Sequence, residues 1–156
     1  MQNFQEFLEN SLQQNIKKLI PLTGGASADI NRIILENNNE LIVRRSLSKE
    51  QSVMAIPKKL EAKIQRIVKS NDAPVPEIIF EFSEDEDIGE GYVMEAIPGE
   101  TIPRKILRDD NYENVRSKLS FEIGRSLATI HQTKLDELND LDKVTFEESL
   151  KKLYLV

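Results

Sequence analysis

The chain has no cysteine among its 156 residues. That excludes a disulfide framework, a cysteine-ligated zinc site and a cysteine nucleophile. It has one histidine, His131, and general-base work by a lone histidine lacks any orienting partner in the sequence. Positive charge is scarce: 21 Lys and Arg against 27 Asp and Glu leave a net charge of −6. Phosphate neutralisation along a duplex or strand needs clustered cations, so nucleic acid is not expected as a partner. A small phosphorylated ligand needs only a few local charges and stays open. No apolar run approaches the roughly 18 residues needed to span a bilayer, so no membrane partner is expected. Residues 1–12 carry no cationic stretch followed by a long apolar run, which argues against a signal peptide. The expectation is a soluble, cytoplasmic protein. There are no internal repeats and no low-complexity linker.

What is present fits one full core, or a small lobe plus part of a second. Phe4, Phe7, Leu8 and Leu12 recur at helical spacing and predict a short amphipathic helix over residues 3–14. Residues 16–22 form a strand pattern broken by Gly24-Gly25, and residues 30–35 a second strand. Asn37-Asn38-Asn39 supplies a hairpin turn, because asparagine tolerates the left-handed conformation, and residues 41–43 then return antiparallel. A helix is predicted from Pro57, with Leu60, Ile64, Ile67 and Val68 as its apolar stripe. Strands follow over residues 77–82 and 92–97, separated by an acidic tip and stopped by Pro98-Gly99. Residues 98–111 predict a loop with a short helix. Residues 112–131 form the strongest helical pattern, with Val115, Leu119, Ile123, Leu127 and Ile130 as a buried stripe. A weaker helical pattern begins at Phe146. The final residues 152–156 are apolar and uncapped, where a chain end is usually polar and frayed, so a truncated chain is expected.

Four constellations admit a chemical reading beside a plain one. Gly24-Gly25-Ala26-Ser27 lies between two strands, where paired glycines let backbone amides approach a phosphate, or simply make a turn. Arg44, next to Arg45, stays charged and can grip a phosphate with two donors; the plain alternative is a surface arginine pair at a sheet edge. Glu61 can point from its helix toward the sheet and pair with Arg44, or stay solvated among Lys58, Lys59 and Lys63, which form good helical ion pairs. Residues 92–99 make either a last strand or a hinge whose backbone at Glu95, Ala96 and Ile97 offers a donor and an acceptor to an adenine edge. Glu84-Asp85-Glu86-Asp87 lacks the spaced ligands of a calcium loop and reads as a solvated hairpin tip.

Taken in order, these segments resemble the N-terminal lobe of the aminoglycoside/choline phosphotransferase family. The segments are residues 22–27, 41–45, 60–64, 75–78 and 91–99. The runs 99–109 and 123–131 resemble the branch related to the kinase domains fused to acyl-CoA dehydrogenases. The resemblance covers roughly residues 16–133. It implies an α+β fold: a five-stranded antiparallel sheet with one packed helix, a protein-kinase-like N-lobe over residues 1–97. The hinge and first helices of an incomplete helical C-lobe would occupy residues 98–156. It further implies ATP as cofactor and phosphoryl transfer to a small-molecule hydroxyl acceptor. The implied nucleotide-binding set is Gly24, Gly25, Ser27, Ile42, Arg44, Glu61, Met94, Glu95, Ala96 and Ile97. Two positions depart from the family pattern: Arg44 stands where lysine is expected, and Asn31 where an aromatic residue is common.

The family's catalytic His-x-Asp motif, with Asn five residues past the Asp, does not follow His131. Asp136, Asp140 and Asp142 lack its spacing. Asp109 and Asn114 have the spacing but stand before and at the start of the long helix, whereas the family's catalytic pair follows that helix, so Asp109 or Asp110 reads as an N-cap. No catalytic or metal-binding residue is therefore expected here, and magnesium is expected only in a full-length enzyme. The chain is expected to be inactive alone. The alternative expectation is a non-catalytic interaction protein, with self-association through an exposed C-terminal apolar surface.

Overall fold

The computed structural model describes residues 3–22, 28–47, 56–83, 87–134 and 147–148. Five strands form one antiparallel sheet: β1 (Ile16–Pro21), β2 (Asp29–Leu35), β3 (Glu40–Ser46), β4 (Ile78–Ser83) and β5 (Glu90–Glu95). Their order is β1-β2-β3-β5-β4, so β3 is the central strand. Helix α1 (Phe4–Leu12) precedes the sheet and α2 (Lys58–Ser70) links β3 to β4. After β5 come α3 (Pro103–Arg108), a 3-10 turn (Asp110–Tyr112) and α4 (Glu113–His131). The expected α+β architecture is present. β5 begins two residues earlier than the sequence pattern suggests and stops at Glu95, so Ala96 and Ile97 lie beyond the last paired residue.

Strand alternation divides the side chains between two faces. One face carries Ile33, Leu35, Val43, Val93 and Phe82, on which α1 lays Leu8 with Phe4 and Phe7 at its edge. The Glu9 carboxylate accepts from the Ile16 amide at 3.0 Å and so ties α1 to the start of β1. Register places Ile42 and Arg44 of β3, and Tyr92 and Met94 of β5, on the opposite face. There Ala62 of α2 packs with Ile78 and Tyr92.

The turns follow the local chemistry. Asn38 takes φ 63° in the β2–β3 hairpin, and the Asn37 side chain accepts from the Asn39 amide at 2.9 Å. Pro57 is the N-cap of α2 and has no side chain that can cap it. The orphan amide of Lys59 is satisfied from β5 instead, by Glu90 Oε1 at 2.9 Å. As expected, Asp109 acts as an N-cap, in this case of the 3-10 turn, accepting from the Asn111 amide at 3.0 Å.

Helix α4 departs from its expected burial. Val115, Ile123, Leu127 and Ile130 are exposed, as is Phe121 at 73%. The periodicity does form a helix, but none of the other described elements covers this stripe. Among the described residues, α4 meets other elements chiefly at its start, where Arg116 donates to the carbonyls of Ile106 and Asp109 at 3.1 and 2.7 Å. His131 is exposed at its last position. Of the weaker helical pattern beginning at Phe146, the described residues hold only 147–148, which are helical.

Candidate functional site

The site begins with the two adjacent arginines of β3. Because successive side chains point to opposite faces, a central strand must send them apart. Arg45 enters the α1 side. Its Nε donates to Asp29 Oδ2 at 2.8 Å, and its guanidinium lies 3.6 Å from the Phe4 ring centroid. Asp29 Oδ1 also accepts from the side chain of Asn31, which is buried at 5% exposure. Asn31 thus joins a polar chain with Asp29 and Arg45. The sheet-edge reading of the arginine pair is overturned by the strand order, which places both residues at the centre of the sheet.

Arg44 enters the α2 side. Its Nε donates to Glu61 Oε2 at 3.0 Å, and both side chains are about one-quarter exposed, at 23% and 22%. The two residues the sequence allowed to pair are therefore paired, and Glu61 is not a freely solvated helix carboxylate. Glu61 has two further partners: Lys58, named in the sequence as a helical ion-pair neighbour, and Tyr92, which was not singled out for this role. Lys58 Nζ donates to Oε1 at 3.1 Å, and the Tyr92 hydroxyl donates to Oε2 at 3.3 Å. The Lys58 contact follows from its place three residues before Glu61 on the helix, whereas Tyr92 becomes a neighbour only through the Arg44–Tyr92 register.

Burial is the largest single influence on the Glu61 carboxyl and would raise its pKa. The hydrogen bonds and charges of Arg44 and Lys58 together outweigh it and hold the group below the usual carboxylate value. Tyr92 is pushed up to about 12, first by burial and then by the neighbouring Glu61 charge. A carboxyl with a depressed folded pKa stabilises the fold above its unfolded value and loses that contribution as pH falls through the folded value. In urea titrations the stability gap between the native chain and Glu61→Gln is thus expected to be full at pH 7 and to shrink below about pH 4. A gap that stays constant from pH 7 to pH 3 would contradict this assignment.

The cross-strand row Arg44–Ile30, extended by the Leu22 amide donating to the Ile30 carbonyl at 2.8 Å, runs along the end of the sheet where β1 joins β2. Gly24, Gly25 and Ser27 follow Leu22 and lie outside the described residues. Helix α2 covers β3, β4 and β5. The remainder of this face bears Ile20, Leu22, Ile30, Ile34 and Ile42, with Met94 at its border. Ile20 and Leu22 are exposed, and Arg32 pairs with Glu40 across the strip. Among the described residues, Nε is the one Arg44 nitrogen with a protein partner. Its terminal nitrogens are available at the edge of an open apolar strip, an arrangement suited to an anion attached to a flat apolar group.

At the end of β5, the Glu95 amide donates to the Glu77 carbonyl at 2.9 Å, and the Glu95 carboxylate accepts from the Glu77 amide at 3.3 Å. A backbone donor for a ligand at this end must then come from Ala96 or Ile97. The acidic tip expected at Glu84-Asp85-Glu86 lies outside the described residues, and Asp87 beside it is exposed. Asp136, Asp140 and Asp142 also lie outside them. Among the described residues no helix is long and apolar enough to cross a membrane.

Residues 18–151 match the phosphotransferase enzyme family, APH, and the chain belongs to that family. Membership carries kinase-like phosphoryl transfer, with a nucleotide and a small molecule as substrates. No curated protein matches the chain significantly.

Proposed function

We propose that this family member is the nucleotide-clamping part of an ATP-dependent enzyme that phosphorylates a hydroxyl of a small molecule. The observation that carries the reading is Arg44, held at Nε by Glu61 with its terminal nitrogens unpartnered among the described residues. In this reading those nitrogens bind the ATP phosphates, and Gly24, Gly25 and Ser27 bind the same phosphates. Adenine lies on the strip of Ile30, Ile42 and Met94, with the Glu95 carbonyl and an amide of Ala96 or Ile97 at its edge.

Residues 1–97 form the nucleotide lobe and residues 98–156 the hinge and first helices of the acceptor lobe. The catalytic base and the magnesium ligands belong outside these 156 residues, so no residue of this chain is assigned to magnesium. The runs 99–109 and 123–131 support placing the chain in the branch related to kinase domains fused to acyl-CoA dehydrogenases. A cytoplasmic location suits an enzyme that draws on ATP.

Calorimetric titration with ATP, with and without magnesium, tests this. Binding that does not depend on magnesium is expected, with no phosphoryl transfer to a panel of hydroxyl acceptors. Absence of binding at millimolar ATP overturns the clamp, and transfer by the chain alone overturns the placing of the catalytic set elsewhere.

A second reading draws on the exposed α4 stripe of Val115, Phe121, Ile123, Leu127 and Ile130. It takes the chain as a non-catalytic interaction protein that self-associates through this surface. Sedimentation at rising concentration separates the two readings, since only the second requires a tight oligomer.

A further inference from the structure

Glu61 is bonded from three elements. Arg44 of β3 and Tyr92 of β5 share its Oε2, and Lys58, one turn earlier on α2, takes its Oε1. Lys58 and Tyr92 are almost fully buried, at 3% and 4% exposure, so neither reaches a ligand. Burying an ammonium is costly unless it is paired, and the partner of Lys58 among the described residues is Glu61. β5 fastens the same turn of α2 a second time, through Glu90 on the Lys59 amide.

With both oxygens engaged, the carboxylate cannot rotate without breaking a bond. Removing Lys58 would release Oε1, and removing Tyr92 would leave Oε2 held by Arg44 alone; in either case the Arg44 side chain would gain freedom.

We infer that Lys58 and Tyr92 are positioning residues for Arg44 and act through Glu61. They pin the carboxylate, and the pinned carboxylate fixes Nε so that the terminal nitrogens of Arg44 point at the ligand. The inference rests on the nucleotide reading only for the identity of that ligand.

The test uses the full chain with Tyr92→Phe and Lys58→Met, each checked for folding by its thermal midpoint. The first readout needs no nucleotide: the Arg44 Nε–H signal in a proton–nitrogen correlation spectrum, assigned by its loss in Arg44→Lys. It is expected to be sharp in the native chain and broadened or lost in both variants. The second readout is the dissociation constant for ATP without magnesium. It is expected to rise about threefold in Tyr92→Phe and about tenfold in Lys58→Met, the larger change following the loss of a charged partner. An unchanged Nε–H signal in Tyr92→Phe, a change that removes one oxygen and leaves the ring in place, overturns the inference. If the native chain binds no ATP while the signal responds to both substitutions, the positioning role stands and the nucleotide reading falls.

Discussion

Replacing Arg44 with methionine is expected to weaken ATP binding about 10- to 100-fold while the chain stays folded. The loss corresponds to one or two charge-assisted hydrogen bonds, each worth roughly 1.5–3 kcal/mol, at about 1.4 kcal/mol per decade of affinity. Methionine keeps an unbranched side chain of similar reach beside Ile42 and Tyr92, so packing is largely preserved. Glu61 does not become an unpaired buried charge, because Lys58 and Tyr92 still bond it. Arg32→Met is the matched control. Arg32 lies on the same sheet face but is paired with Glu40 and is 44% exposed in its side chain. Calorimetric titration of both variants decides the point. An equal loss from both would mean that the site reads diffuse positive charge rather than the Arg44 fork.

Replacing Gly91 with alanine is expected to destabilise the fold by about 2–4 kcal/mol, at the upper end of what overpacking costs. A Cβ at this position would lie 2.6 Å from the Arg44 carbonyl oxygen, 2.6 Å from Phe82 Cζ and 2.8 Å from Arg45 Cβ. Rotation can relieve only the phenyl contact, and Phe82 is buried against Phe4, Phe7 and Phe80. The contact with the Arg44 carbonyl is to backbone, so relief there means separating β3 from β5. That would move Arg44 and Tyr92 together. A drop of roughly 5–15 °C in thermal midpoint follows from the size of the chain, with weaker ATP binding alongside it. Gly124→Ala is the contrast, since a Cβ there meets nothing within 4 Å and α4 favours alanine over glycine. It should hold or raise the midpoint. A Gly91→Ala chain that melts within 2 °C of the native one would show that β5 yields without cost.

Much of this architecture is legible in the residues themselves. The β-branched run of Ile30–Leu35, the asparagine hairpin and the Leu60–Val68 stripe are local signals, and local rules place β2, β3 and α2 close to where they occur. The Arg44–Glu61 pair was also legible, because a helix that returns over its own strand brings a first-turn carboxylate to that strand. The burial of α4 was not. Periodicity reports which side of a helix is apolar, whereas burial depends on what else arrives there, and no other described element covers that side.

The sequence by itself determined the order of elements, the family and the chemical kind of each candidate group, because these depend on spacing and residue type. Only the tertiary structure decided that β3 is central, that Arg44 and Arg45 serve opposite faces, and that Lys58 and Tyr92 share Glu61 with Arg44. Those relations come from strand register between segments about 50 residues apart, such as Arg44 with Tyr92. Register is set by packing of the whole sheet against both helices, which no local stretch of sequence contains.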